Sequence, residues 1–200
     1  IKTTLGDMML CTEGDILLES YAAEALLDHF KQHPDHMAAA GTQIILEPKN
    51  KSFKHHIFNV FDKSNLQIFT GALYMVQTTR LQERARQFGV SLMPPDTIGD
   101  DWLVHNISAP YRGFVPTALA YVQPTTTWHD YVQRTIRGCR AHRQIEAEYR
   151  HIPVYEKPYK KNIRTRLELL KGKNLAEIAG IGIDKVIVKV MDKMIRKYES

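Results

Sequence analysis

Short apolar runs, each stopped by proline, glycine or acid, alternate along this chain with longer stretches of helix formers. That alternation restricts the fold more than any other feature. Met8 to Leu10 leads into the acidic turn Glu13-Gly14-Asp15, Met37 to Leu46 ends before Pro48, and Leu66 to Val76 carries Gly71 in its middle. Val90 to Met93 ends at Pro94-Pro95, and Ala118 to Val122 ends before Pro124. Each has strand length and strand punctuation, because proline cannot donate to a ladder and glycine gives it nothing to pack. Strands separated by helices imply an α/β fold, a sheet flanked by helices. We expect one domain over residues 1–150, and a linker with a helical tail over 151–200.

The helical segments show the matching period. Ser20 stands where a cap would start a helix in which Ala22, Ala23, Leu26, Leu27 and Phe30 share one face, and Pro34 closes it. Lys49 to His56 reads as a polar, basic connection. Thr78 to Phe88 reads as a second helix, stopped by Gly89. Thr127 is placed to cap the longest one, from Trp128 to about Arg150. Pro153 and Pro158 bracket an extended linker, and from Ile163 onward one or two terminal helices are expected.

The 200 residues are 44% apolar, enough for a core, and the longest apolar runs fall far short of a bilayer span. No charged start followed by an apolar block marks a secretory signal, and Ile1 in place of Met reads as a trimmed chain. Cys11 and Cys139 lie far apart with no metal-like or redox-like partner nearby, which fits a reduced, cytosolic setting. The net charge of +5 comes mostly from the back of the chain, through Arg134, Arg137, Arg140, Arg143 and Arg150 and the basic stretch Lys157 to Lys173. His29, His33 and His36 follow helical spacing, but Pro34 interrupts it and no cysteine joins them, so a solvated face accounts for them better than a metal site. His55-His56 reads as surface too.

The stretch MPPDTIGDDW, Met93 to Trp102, delivers Asp100 and Asp101 to the start of a helix behind a Pro-Pro turn. Capping and the helix dipole favour acids at such a place in any protein. The order of the remaining motifs adds a chemical reading. An acidic turn after a strand, a glycine-containing strand, an acid pair before a helix and a Gln/Arg cluster follow one another. In this order the chain resembles the inverting family 2 glycosyltransferases of the GT-A type, over about Gly6 to Arg143. Glu13-Gly14-Asp15 resembles the DxD metal motif, and Thr70-Gly71-Ala72-Leu73 the strand beneath sugar and acceptor. Gly99-Asp100-Asp101-Trp102 resembles the ED motif, and Gln133-Arg134-Thr135-Ile136-Arg137-Gly138 a loose QxxRW. The chain departs from the pattern in three places. Glu13 replaces an Asp; the last motif has no Trp and sets Gln133 one residue too far from Arg137, which makes Arg134 a second candidate for the Gln's place. The strands that hold the nucleotide base and ribose in the family do not precede Met8.

The resemblance implies a partial GT-A, Rossmann-like mixed sheet with a C-terminal helical tail, and metal-dependent transfer of a sugar from a nucleotide-sugar donor to a glycan or lipid-linked acceptor in glycan or polysaccharide biosynthesis. Mn2+ or Mg2+ would be held by Asp15 first and Glu13 second, neutralising the leaving diphosphate. Asp101 would be the general base, with Asp100 raising its proton affinity by like-charge repulsion, and Arg137 and Arg134 would steady the diphosphate. Gly71, Trp102 and Gln133 would line the substrate site, though a Trp here is also an ordinary core anchor. A chain lacking the nucleotide-binding strands is expected to be inactive by itself, with Met8 to Leu10 an open edge. Two other readings stay open: a catalytically inactive relative serving as a binding or scaffold protein, and a nucleic-acid-binding module built on the arginine-rich helix. That second module has no interleaved aromatics and leaves the acidic turns unexplained. Nucleic acid is therefore not an expected partner.

The tail forms a further pattern. Ile187, Val190, Met191, Met194, Ile195 and Tyr198 fall on one helical stripe, with Lys185, Lys189, Lys193, Arg196 and Lys197 among the other positions. Packing of that stripe on the domain is the favoured expectation. A peripheral contact with the anionic inner face of a membrane is the alternative.

Overall fold

The structure is a computed structural model and describes residues 7–46, 53–59, 69, 71–91, 97–153 and 175–198. Strands β1 (Met8–Thr12), β2 (Ile16–Leu18), β3 (Ala38–Ile45), β4 (Leu73–Gln77) and β5 (Arg112–Val122) form one five-stranded sheet in the order β1-β4-β3-β5-β2. The sheet is mixed: β3 and β5 run parallel, and the other pairings are antiparallel. Helices α1 (Ala22–Gln32), α2 (Phe53–Phe58), α3 (Thr78–Gln87), α4 (Asp100–Ile107), α5 (Trp128–Glu148) and α6 (Leu175–Tyr198) are the α-helices of the described residues. The expected α/β class is therefore observed.

The period of two along the strands sorts the core into two layers. Ala38, Ala40, Tyr74 and Val76 face Leu81 and Ala85 of α3 and Leu103, Val104 and Ile107 of α4. Their neighbours Ala39, Leu73 and Met75 face Ala22, Leu26 and Phe30 of α1. Both faces are covered, which explains why β4 reads as a nearly continuous apolar run. A smaller cluster of Ile57, Phe58 and Tyr131, with Val132 and Ile187 against it, joins α2, α5 and α6.

Several boundaries differ from expectation. The β4 strand begins at Leu73, so Gly71 sits in the turn before it; the expected start at Leu66 falls outside the described residues. The β5 strand begins at Arg112, six residues before the apolar run, because its first part is held by parallel pairing to Ala38 and Ala40 of β3 rather than by its own alternation. Ser20 does not cap α1: Tyr21 occupies that position, and the Ser20 N–H meets the Glu19 carboxylate instead. Leu27 is exposed while Leu26 is buried, so the core-facing arc of α1 is narrower than its apolar content. The basic connection contains α2. Val90 and Ser91 form no strand, and the expectations on residues 92–96 and on the linker and tail over 154–174 lie outside the described residues. Thr127 does cap α5, accepting from the Asp130 N–H, and Gly89 follows α3 at φ 69°.

Candidate functional site

The site forms where the end of β1, the turn before β4 and the start of α4 meet. The register of β1 against β4 sets Cys11 opposite Tyr74 and Thr12 opposite Leu73, so Glu13 emerges beside the Gly71-Ala72 turn. Thr12 Oγ1 fastens this end by donating to the Ala72 carbonyl at 2.9 Å. Glu13 Oε1 then lies 2.7 Å from the place a Cβ on Gly71 would take, so residue 71 has no room for a side chain while Glu13 keeps this position.

The acid pair arrives from the other side. Asp100 and Asp101 are the first residues of α4, after Gly99 in the capping position, where the helix dipole favours carboxylates. Asp101 Oδ2 accepts the Gly71 N–H at 3.1 Å and its Oδ1 accepts the Trp102 N–H at 2.8 Å. Asp100 turns the other way, and its Oδ2 accepts the buried Tyr74 hydroxyl at 3.2 Å. Burial raises the Tyr74 phenol far above its usual range, with Cys11 and Asp100 adding to the effect. Burial likewise pushes the Cys11 thiol up. Tyr74 therefore stays protonated and donates to Asp100. The second half of α5 supports the approach to the acids: Ile98 donates its N–H to Gln144 Oε1 at 2.9 Å, Thr97 and Tyr149 share a hydroxyl contact of 3.0 Å, and Ile145 and Ala141 pack on Gly99.

Of the residues singled out in the sequence, Glu13, Gly71, Asp101, Asp100 and Trp102 come together. Trp102 is half-buried and packs against the core layer beneath α4, the anchor reading rather than a free stacking platform. Asp15 is exposed in the turn between β1 and β2. Arg137 and Gln133 are exposed on α5, with Arg137 one turn before Ala141 on the same face. Arg134 is drawn off elsewhere. Its guanidinium donates to the Phe58 carbonyl and to Thr125 Oγ1, and sits 5.8 Å from the Tyr131 ring centre, tying α5 to α2. Arg143 is likewise committed to α6, through the Asp192 carbonyl at 2.8 Å.

Tyr74, Thr12 and Gln144 were not found from the sequence. Tyr74 reads as one more apolar residue in a buried strand, and only its register against Cys11 and the acid pair gives its hydroxyl a task. His29, His33 and His36 do gather, with ring centres 4.6 to 5.0 Å apart and His29 Nε2 2.9 Å from His36 Nδ1. They lie beside Gly113, at the start of β5 and away from the acid pair. Among the described residues no group of three or more His, Cys, Asp or Glu side chains is placed to hold a metal by itself. Glu13 and Asp15 stand two residues apart between β1 and β2, and a divalent cation bound largely through substrate phosphates and waters would need one or two such carboxylates. No protein-family model matches this chain, and no curated protein matches it either.

Proposed function

We propose that this chain carries the acceptor side of a metal-dependent inverting glycosyltransferase, acting on a nucleotide-sugar donor and a glycan or lipid-linked acceptor. The observation that supports this reading best is the meeting of Glu13, Gly71 and Asp101, drawn from three separate elements onto one turn. Asp101 is the general base: it takes the proton of the acceptor hydroxyl as that oxygen attacks the anomeric carbon. The Gly71 and Trp102 N–H groups fix the carboxylate's orientation. Asp100, held by Tyr74, positions the helix start rather than touching the reacting atoms. Displacement in one step with a single base inverts the sugar carbon.

Glu13, with Asp15 beside it in the turn, would hold Mg2+ or Mn2+, which neutralises the leaving diphosphate. Arg137 lies on the face of α5 that supports the acid pair and supplies a cation for the same charge. Arg134 is assigned no part in this chemistry, since its donors hold α2. The bare glycine at 71 leaves room for the Glu13 carboxylate at this turn. Asp101→Asn is expected to lower transfer by about two to four orders of magnitude, the usual worth of a positioned base, while leaving donor binding nearly intact. Single-turnover transfer and calorimetric donor titration in the presence of Mn2+, in a version extended by the nucleotide-binding strands that the resemblance implies, measure the two parts. Near-normal turnover by the Asn variant removes Asp101 as base.

A further inference from the structure

Four residues of α6, Gly180, Asp184, Ile187 and Asp192, hold its inward side. Gly180 packs so closely on the His56 backbone that a Cβ would stand 2.5 Å from its carbonyl oxygen. Asp184 is 5% exposed and accepts the Tyr131 hydroxyl at 2.8 Å. Ile187 packs on the cluster of Ile57, Phe58 and Tyr131, and Asp192 receives Arg143. Ile187, Met191 and Ile195, half of the stripe read from the sequence, lie on this side.

The other side holds a second apolar stripe. Ile183, Val186, Val190 and Met194 are 37%, 63%, 51% and 53% exposed and follow one another at helical spacing. Val190 and Met194, assigned to the inward stripe in the sequence, belong here instead. Lys185, Lys189 and Lys193 are exposed along one flank of this ridge, and Lys197 is exposed near its end. The acids of this stretch do not offset them: Asp184 is buried, and the Asp192 carboxylate is met by Arg143 Nε at 3.5 Å and by Arg196 Nε at 2.9 Å.

We infer that the outward face of α6 docks on an anionic lipid surface, with Val186, Val190 and Met194 entering below the headgroups and the lysines meeting their phosphates. Charge decides the occupant. A ridge of aliphatic side chains bordered by long cationic ones matches a surface that is apolar within and anionic above, and lysine stems reach upward along the ridge while their ammonium groups stay in water. The same lysines oppose a second copy packed ridge to ridge in antiparallel sense, which would set one lysine row beside the other. No helix among the described residues is long and apolar enough to cross a membrane, so the contact is peripheral. This inference stands on α6 alone and does not depend on glycosyl transfer.

The full chain is tested by co-sedimentation with phosphatidylcholine vesicles and with vesicles part-replaced by phosphatidylglycerol. Binding is expected only to the second kind, to weaken with added salt, and to fall about fivefold at low salt for each lysine among 185, 189, 193 and 197 changed to Gln. The variant Val186→Ser, Val190→Ser, Met194→Ser is expected to bind at least tenfold more weakly while melting at the same temperature, because none of these residues packs inward. Binding that is equal on both vesicle types, or unchanged in the serine variant, overturns the inference. So does a dimer in sedimentation velocity that the serine variant abolishes, since a second copy would then be the occupant.

Discussion

At the scale of single residues, Gly71 is the most sharply constrained position. A methyl group there would meet Glu13 Oε1, the far end of a flexible side chain, rather than backbone. Glu13 can therefore swing aside, and Gly71→Ala is expected to change stability by less than about 1 kcal/mol, as surface substitutions do. The displaced carboxylate is the one assigned to the cation, so the dependence of activity on Mn2+ should shift to higher concentration. Metal titration of transfer in the extended version, beside a thermal melt of this chain, separates the two effects. An Ala variant that unfolds, or one with an unchanged metal response, contradicts the assignment. The site also shows how adjacent acids acquire different roles. Asp100 is bonded to a buried phenol and Asp101 to two backbone amides, so one helix start holds two acids in different settings, the second of them the proposed base.

At the scale of elements, the docking of α6 on α5 centres on Asp184 and Tyr131. Burial raises the carboxyl of Asp184, while the Tyr131 hydroxyl and Arg134 oppose that shift. The phenol of Tyr131 is itself pushed well up, first by burial and then by Asp184, and so remains a donor. Asp184→Ala leaves that donor buried without its partner and is expected to cost roughly 1–3 kcal/mol. Asp184→Asn keeps an acceptor and removes a charge that burial disfavours, so its loss should be much smaller. Urea unfolding of the pair reads the difference. If Asn is as damaging as Ala, attraction to Arg134 and not the hydrogen bond holds the helix. Gly180 packs on the neighbouring α2 at His56, and Arg134, which reads as a diphosphate clamp in the sequence, serves to join α5 to α2.

At the scale of the whole molecule, global stability should depend on pH through the histidine cluster. Burial lowers His29, with His33 and His36 adding charge repulsion. His36 is also lowered by burial, and Asp35 partly offsets this. Depressed values in the folded state mean that the unfolded chain takes up protons more readily. The cluster therefore costs nothing above the ordinary histidine value near 6.5, and stability falls as pH drops below it through the folded values. Denaturant midpoints measured between about pH 8 and 5 should decline on the acidic side, and less steeply for His29→Gln. An identical slope in that variant assigns the decline to other groups. The edge position of β1 in the described sheet is also a property of the whole: its partner lies sixty-odd residues on, in β4, and no local signal names it.

What the sequence determined by itself is what neighbours along the chain determine. The apolar run of β4, the cap at Thr127, the stop at Gly89 and the acids at the start of α4 all rest on composition or hydrogen bonds within a few residues. Composition and alternation fixed the α/β class for the same reason. Tertiary structure alone decided the strand order, the use of Gly71 as a bare turn against Glu13, the pairing of Asp101 with an amide 30 residues away and the diversion of Arg134 to α2. It also decided which face of α6 turns outward: the sequence reads one stripe expected to pack on the domain, but the fit of Gly180 to His56 and of Asp184 to Tyr131 leaves Val190 and Met194 of that stripe exposed. Contacts between distant segments depend on shapes that exist only once the sheet has formed, so no window of sequence contains them.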